Sequence, residues 1–152
     1  MEQRETVDFS GDHPLHEIKR WTSVMTKPTI LIVDDEPGNL AVLNDTLQPS
    51  YRVFAANSGE SALTVARGEH KPELILLDVM MEGMDGYGVL SRLREDEKTR
   101  DIPVIFVTAL GDEANEEHGL MLGAADYITK PIKRAIVLAR VKAQLELKVL
   151  LV

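Results

Sequence analysis

The chain has 152 residues, enough for one domain with a buried core, and is 44% hydrophobic and 28% charged. It has no cysteine, which excludes disulfides, thiolate metal sites and a cysteine nucleophile and fits a reducing cytoplasm. The net charge of -8 disfavours nonspecific nucleic-acid binding, and no apolar run approaches the roughly 18–20 residues that cross a bilayer.

Residues 1–26 read as an N-terminal extension, mixed in charge and without the apolar h-region of a secretory signal. Leu15, Ile18, Trp21, Val24 and Met25 can line one face of a short helix capped by Asp12, with Pro14 in its first turn. A loosely ordered tail is the plainer expectation for the same residues. Residues 27–147 carry the regular pattern of a folded domain, and residues 148–152 continue its last helix.

"TILIVD" (29–34) reads as a strand buried on both faces. Pro37 then suits the first turn of a helix carrying Leu40, Leu43 and Leu47. "YRVFAA" is a second strand, and "SGESALTVARG" a helix from an Ser58 cap to a Gly68 stop. "ELILLDV" is a third strand, followed by a helix after the Asp85–Gly86 turn. "IPVIFVTA" is a fourth strand, followed by a helix ending at Gly123. "ADYIT" is a short fifth strand, and a last helix runs from about Lys133 to the chain end.

Five strands alternating with five helices predict an α/β fold: a five-stranded parallel sheet, doubly wound, in the order 2-1-3-4-5. Sites in such sheets lie at the carboxyl ends of the strands, near the switch point between strands one and three. Those ends carry the polar residues. Asp34 and Asp35 end strand one, Asp78 strand three and Thr108 strand four, and Lys130 follows strand five.

Two like charges about 4 Å apart repel by roughly 4 kcal/mol at an effective dielectric near 20. Three carboxylates at one edge therefore call for a protonated carboxyl or a cation. A donor set without His or Cys favours Mg²⁺ or Mn²⁺. Lys130 and Thr108 offer a positive charge and a hydroxyl, as a phosphoryl group requires. The chemistry suggested is phosphoryl transfer to a carboxylate, with Asp78 as nucleophile between the acidic pair and the Thr/Lys side. Taken singly, the residues have plainer readings: a helix cap for Asp34 or Asp35, a turn for Asp78, strand for Thr108, solvated surface for Lys130.

In order, "VDDE", "LILLDVMMEGMDG", "VIFVTA" and "DYITKP" resemble the receiver domain of bacterial two-component response regulators, the CheY-like fold, over about Pro28 to Leu147. The resemblance implies that Asp78 is phosphorylated from a histidine kinase or phosphotransfer protein. It implies Asp35 as direct metal ligand, Asp34 acting mostly through water, and the Met80 carbonyl as a further metal contact. Thr108 and Lys130 match the phosphoryl-binding hydroxyl and ammonium, with the Ala109 amide nearby, and Tyr127 matches a switch aromatic that turns inward on activation. A cis peptide is implied between Lys130 and Pro131. The output surface implied is helix four, strand five and helix five, serving a homodimer or a downstream output domain or protein. Met80 and Leu110, both apolar, stand at the positions that set phosphoryl lifetime. Glu82 departs from the family, which usually has proline there.

The expected function is a cytoplasmic signalling switch, not an enzyme turning over external substrates. A haloacid-dehalogenase-like phosphohydrolase needs a second Asp where Met80 stands, and no glycine-rich phosphate loop follows strand one. The last helix has two apolar stripes: Leu138, Val141, Leu145, Val149 and Val152, and Ile136, Ala139, Ala143, Leu147 and Leu150. One packs the domain; the other needs cover, from a dimer or an effector domain. His13, His16, His70 and His118 show no ligand spacing and are expected to be exposed. Met80, Met81 and Met84 are expected to anchor their loop by packing.

Overall fold

The computed structural model describes residues 27–150, with side chains through Lys148. The helix face expected at Leu15, Ile18, Trp21, Val24 and Met25 lies outside those residues, as do His13, His16 and the side chains at Val149, Leu150 and Val152. The described chain runs β1 (Thr29–Val33), α1 (Pro37–Leu47), β2 (Arg52–Ala56), α2 (Gly59–Ala66), β3 (Leu74–Leu77), α3 (Gly86–Glu95), β4 (Val104–Thr108), α4 (Glu113–Met121), β5 (Asp126–Thr129) and α5 (Arg134–Leu150).

All neighbouring strands pair in parallel, in the order β2-β1-β3-β4-β5. The period-two alternation of each strand divides its side chains between two apolar layers. Leu31, Val33, Ile75, Leu77, Val104 and Phe106 face one layer, completed by α2 and α3. Ile30, Ile32, Leu74, Leu76, Ile105 and Val107 face the other, covered by α1 and α5. Both faces are sealed, so polar groups can meet only at the strand ends.

Local chemistry sets the helix starts. Ser58, Asp85 and Asp112 each accept a backbone N–H three residues on, at 3.1, 2.9 and 2.8 Å. Pro37 occupies the first turn of α1, whose cap, Glu36, makes no side-chain capping bond. The Asp34 and Asp35 carboxylates do not cap α1, so that plainer reading fails. Gly123, at φ 107°, adopts a left-handed conformation just beyond α4.

The two stripes of α5 separate as expected. Val141 is fully buried and Leu138 and Leu145 partly so, whereas Ile136, Ala139, Ala143 and Leu147 are exposed. Val137, absent from both expected stripes, is also fully buried, because the helix lies over the sheet slightly rotated from the assumed stripe. No helix among the described residues is long and apolar enough to cross a membrane.

Candidate functional site

Strand register builds the site. β1 pairs Val33 with Leu77, so the next step along both strands sets Asp34 opposite Asp78, and the Asp78 N–H donates to the Val33 carbonyl at 3.0 Å. β4 pairs Thr108 with Thr129, and the following Lys130 N–H donates to the Thr108 carbonyl at 2.9 Å. All four residues thus reach the carboxyl edge of the sheet from its three central strands and β5.

Asp34 and Asp78 are 1% and 4% exposed, and Asp35 is open to solvent. One carboxylate oxygen from each of Asp34, Asp35 and Asp78 lies within 4.8 Å of the other two. Lys130 Nζ donates to Asp34 Oδ2 at 2.8 Å and to Asp78 Oδ2 at 3.1 Å. Backbone amides take up the remaining oxygens: Glu36 N–H donates to Asp34 Oδ1 at 3.0 Å and Met80 N–H to Asp78 Oδ1 at 3.2 Å. Glu82 N–H donates to Asp35 Oδ2 at 3.3 Å.

Burial pushes the pKa of the Lys130 ammonium down. Hydrogen bonds from it to Asp34 and Asp78, with their charges, outweigh that and hold it above the ordinary lysine value. The single ammonium cannot neutralise three carboxylates, so the site keeps a negative surplus beside open solvent. An all-oxygen donor set of that charge fits a hard divalent cation, Mg²⁺ or Mn²⁺, and Asp35 is the carboxylate with the freest approach from solvent.

Thr108 is fully buried, and its Oγ1 accepts the Leu110 N–H at 3.4 Å. Tyr127 is 5% exposed, its ring edge-on to Phe106 at 6.0 Å and its hydroxyl donating to the Leu110 carbonyl. The Tyr127 ring is therefore held inward in this structure. Gly119 permits it: a Cβ there would stand 3.1 Å from the rings of both Phe106 and Tyr127. Burial, then the neighbouring Tyr87, push the Tyr127 hydroxyl up to about 12. The Tyr87 hydroxyl, also buried, has no hydrogen-bond partner among the described residues.

The expectation for the methionines needs correction. Met81 and Met84 pack into the core, but the Met80 side chain is 55% exposed, because its amide turns toward Asp78 and aims the side chain outward. The peptide between Lys130 and Pro131 is cis, as the resemblance implied. His70 and His118 are exposed yet rest against the rings of Phe54 and Tyr87. Sequence reading missed the amides of Glu36 and Glu82, which leave no side-chain signal. It also missed Gly119 and the closeness of Gly86, whose Cβ would lie 2.3 Å from the Asp78 carbonyl oxygen. A glycine inside a helical pattern was the signal for Gly119.

A family model described as the response regulator receiver domain matches residues 30–142. A curated relative from Vibrio cholerae serotype O1, named "Probable cyclic di-GMP phosphodiesterase", is 39% identical over 124 residues, covering 82% of this chain and 28% of that protein. Response regulator PleD of Caulobacter vibrioides is 42% identical over 123 residues, covering 80% of this chain and 27% of that protein. The chain thus spans little more than a quarter of the length of these two relatives. Among solved structures, the signal receiver domain of a signal transduction histidine kinase from Syntrophus aciditrophicus superposes with a TM-score of 0.71 at 35% identity, covering 78% of this chain and 90% of that one.

Proposed function

The chain belongs to the response regulator receiver family of two-component signalling, and from that premise we propose that Asp78 accepts a phosphoryl group from a histidine kinase or phosphotransfer protein. The observation that carries the reading is the Lys130 ammonium shared between Asp34 and Asp78 beside a third carboxylate, Asp35. The Asp78 carboxylate attacks phosphorus, the bond from phosphorus to the donor imidazole nitrogen breaks, and that nitrogen keeps the electron pair. Asp35, Asp78 and the Met80 carbonyl would hold a divalent cation directly. Asp34, whose two oxygens already accept from Lys130 and Glu36, suits a water-mediated role. The cation would offset charge on the transferring phosphoryl oxygens.

Lys130 then exchanges its bond to Asp78 for one to the phosphoryl group. The Thr108 hydroxyl exchanges its weak contact with the Leu110 amide for a bond to the same group. Because the Leu110 carbonyl also accepts from Tyr127, that exchange acts on the β4–α4 loop and biases two states of the face formed by α4, β5 and α5. Exposed Leu120, Met121, Ile136 and Leu147 give that face the apolar area for a homodimer or an output partner. Residues 27–147 serve as the receiver, whereas the extension expected at 1–26 and the chain end at 151–152 lie outside the described residues. The role is that of a cytoplasmic switch that neither turns over external substrates nor contacts nucleic acid directly.

Incubation with acetyl phosphate and Mg²⁺, followed by intact mass, tests the reading. The wild-type chain gains one phosphoryl group and Asp78→Ala gains none. No gain in a chain that binds Mg²⁺ would make it a pseudo-receiver.

A further inference from the structure

The three clustered carboxylates are held very unequally. Asp34 is fixed by Lys130 and the Glu36 amide, and Asp78 by Lys130 and the Met80 amide. Both are buried. Asp35 is exposed, and among the described residues its carboxylate accepts one hydrogen bond, from the Glu82 N–H at 3.3 Å across 47 positions of sequence. Met80 and Glu82 lie two apart on the β3–α3 loop, so alternate amides of one short segment reach two different carboxylates.

We propose that the Glu82 amide is a positioning group for the cation: it presets the Asp35 carboxylate and pins the loop that carries the Met80 carbonyl. The inference rests on the cation site proposed above and deepens it. Without that bond, Asp35 samples several rotamers in solvent and the loop has one tether instead of two. Ordering both must then be supplied when the cation binds, which weakens binding. The donor is backbone, so any residue except proline can supply it. The expected family proline would lack it, and a carboxylate in that position would not replace it. The Glu82 side chain acts separately, as a screened negative charge beside a site for a divalent cation.

Two variants separate the effects. Glu82→Gln removes the charge and keeps the N–H, whereas Glu82→Pro removes both. Isothermal titration with Mg²⁺ at physiological ionic strength should show Glu82→Gln weaker than wild type by about twofold. Glu82→Pro should be weaker than Glu82→Gln by a further factor of about three to ten, the entropy of one side chain and a short loop. A second readout needs no cation and no proline. In the metal-free protein, Asp35→Ala should speed solvent exchange of the Glu82 amide several-fold while leaving the Met80 amide unchanged. The inference is overturned if Glu82→Pro binds Mg²⁺ as tightly as Glu82→Gln, or if the Glu82 amide exchanges equally fast with and without the Asp35 carboxylate. A wild-type chain that binds no Mg²⁺ but keeps a protected Glu82 amide would sink the cation site itself, a failure visibly different from the first two.

Discussion

Lys130 Nζ sits 2.8 Å from Asp34 Oδ2, across 96 positions of sequence, and the same ammonium reaches Asp78 Oδ2 at 3.1 Å. The Lys130 side chain is 17% exposed and the two acceptors 2% and 6%, so little water competes for the pair. Removing the ammonium leaves two opposed carboxylates without a counter-charge. Lys130→Ala should destabilise the metal-free protein by about 1–3 kcal/mol, below the loss for a fully buried pair because the site is open on one side. Mg²⁺ should recover part of the loss by binding only the folded state. Urea melts with and without Mg²⁺ give both values. An unchanged midpoint without Mg²⁺ would mean that the bridge contributes nothing.

Alkaline pH should erode stability through two groups. Lys130 has its pKa raised on folding, so its contribution is complete below the unfolded lysine value of about 10.4 and is lost as pH rises through the folded value. Tyr127 behaves alike: its contribution is complete below about 10, the unfolded tyrosine value, and lost as pH climbs toward about 12. All three tyrosines, Tyr51, Tyr87 and Tyr127, are shifted upward, mainly by burial. Spectrophotometric titration of the folded chain should therefore lack a tyrosinate step at the ordinary value, and Tyr127→Phe should remove the latest step. A normal step for all three would contradict the inward placement of Tyr127.

Gly86 is the glycine with the tightest surroundings near the site. A Cβ there would lie 2.3 Å from the Asp78 carbonyl oxygen and 2.7 Å from the Val79 Cα, both backbone. Gly86→Ala must push the start of α3 away from the end of β3, at a cost of about 1–3 kcal/mol or more. The shift also moves Asp78, so acceptance of a phosphoryl group should fall along with the denaturation midpoint. Unaltered values of both would show that the helix start adjusts freely.

The lifetime of the aspartyl phosphate should depend on Met80. Its side chain is exposed beside the Asp78 carboxylate that its own amide holds, and it offers an attacking water no hydrogen bond. Met80→Asn supplies a donor and an acceptor and should shorten the half-life of the phosphorylated form several-fold, read by intact mass after removal of the phosphodonor. Equal half-lives would remove Met80 from lifetime control.

Much of the fold was legible because strands buried on both faces leave continuous apolar runs, and each run here stops at a polar residue. β1, β3 and β4 end where their apolar runs meet Asp34, Asp78 and Thr108. The meeting of those residues followed from parallel order alone. Their pairing did not. That Lys130 bridges Asp34 and Asp78 while Asp35 is left to the Glu82 amide depends on rotamers and loop backbone, and backbone donors are the same in every residue but proline. The burial of Val137 depends on how α5 is rotated about its own axis over the sheet. Tyr127 was recognised, but its inward position rests on Gly119, a residue whose importance lies in what it lacks.

If the carboxylate edge serves the phosphorylation of Asp78, the modified residue can be located chemically. Reductive trapping of the chain after acetyl phosphate and Mg²⁺ treatment converts an aspartyl phosphate to homoserine, which peptide fragmentation locates. Homoserine is expected at Asp78 and nowhere else, and only when Mg²⁺ is present. Homoserine at Asp34 or Asp35, or at no position in a chain shown to bind Mg²⁺, would contradict it.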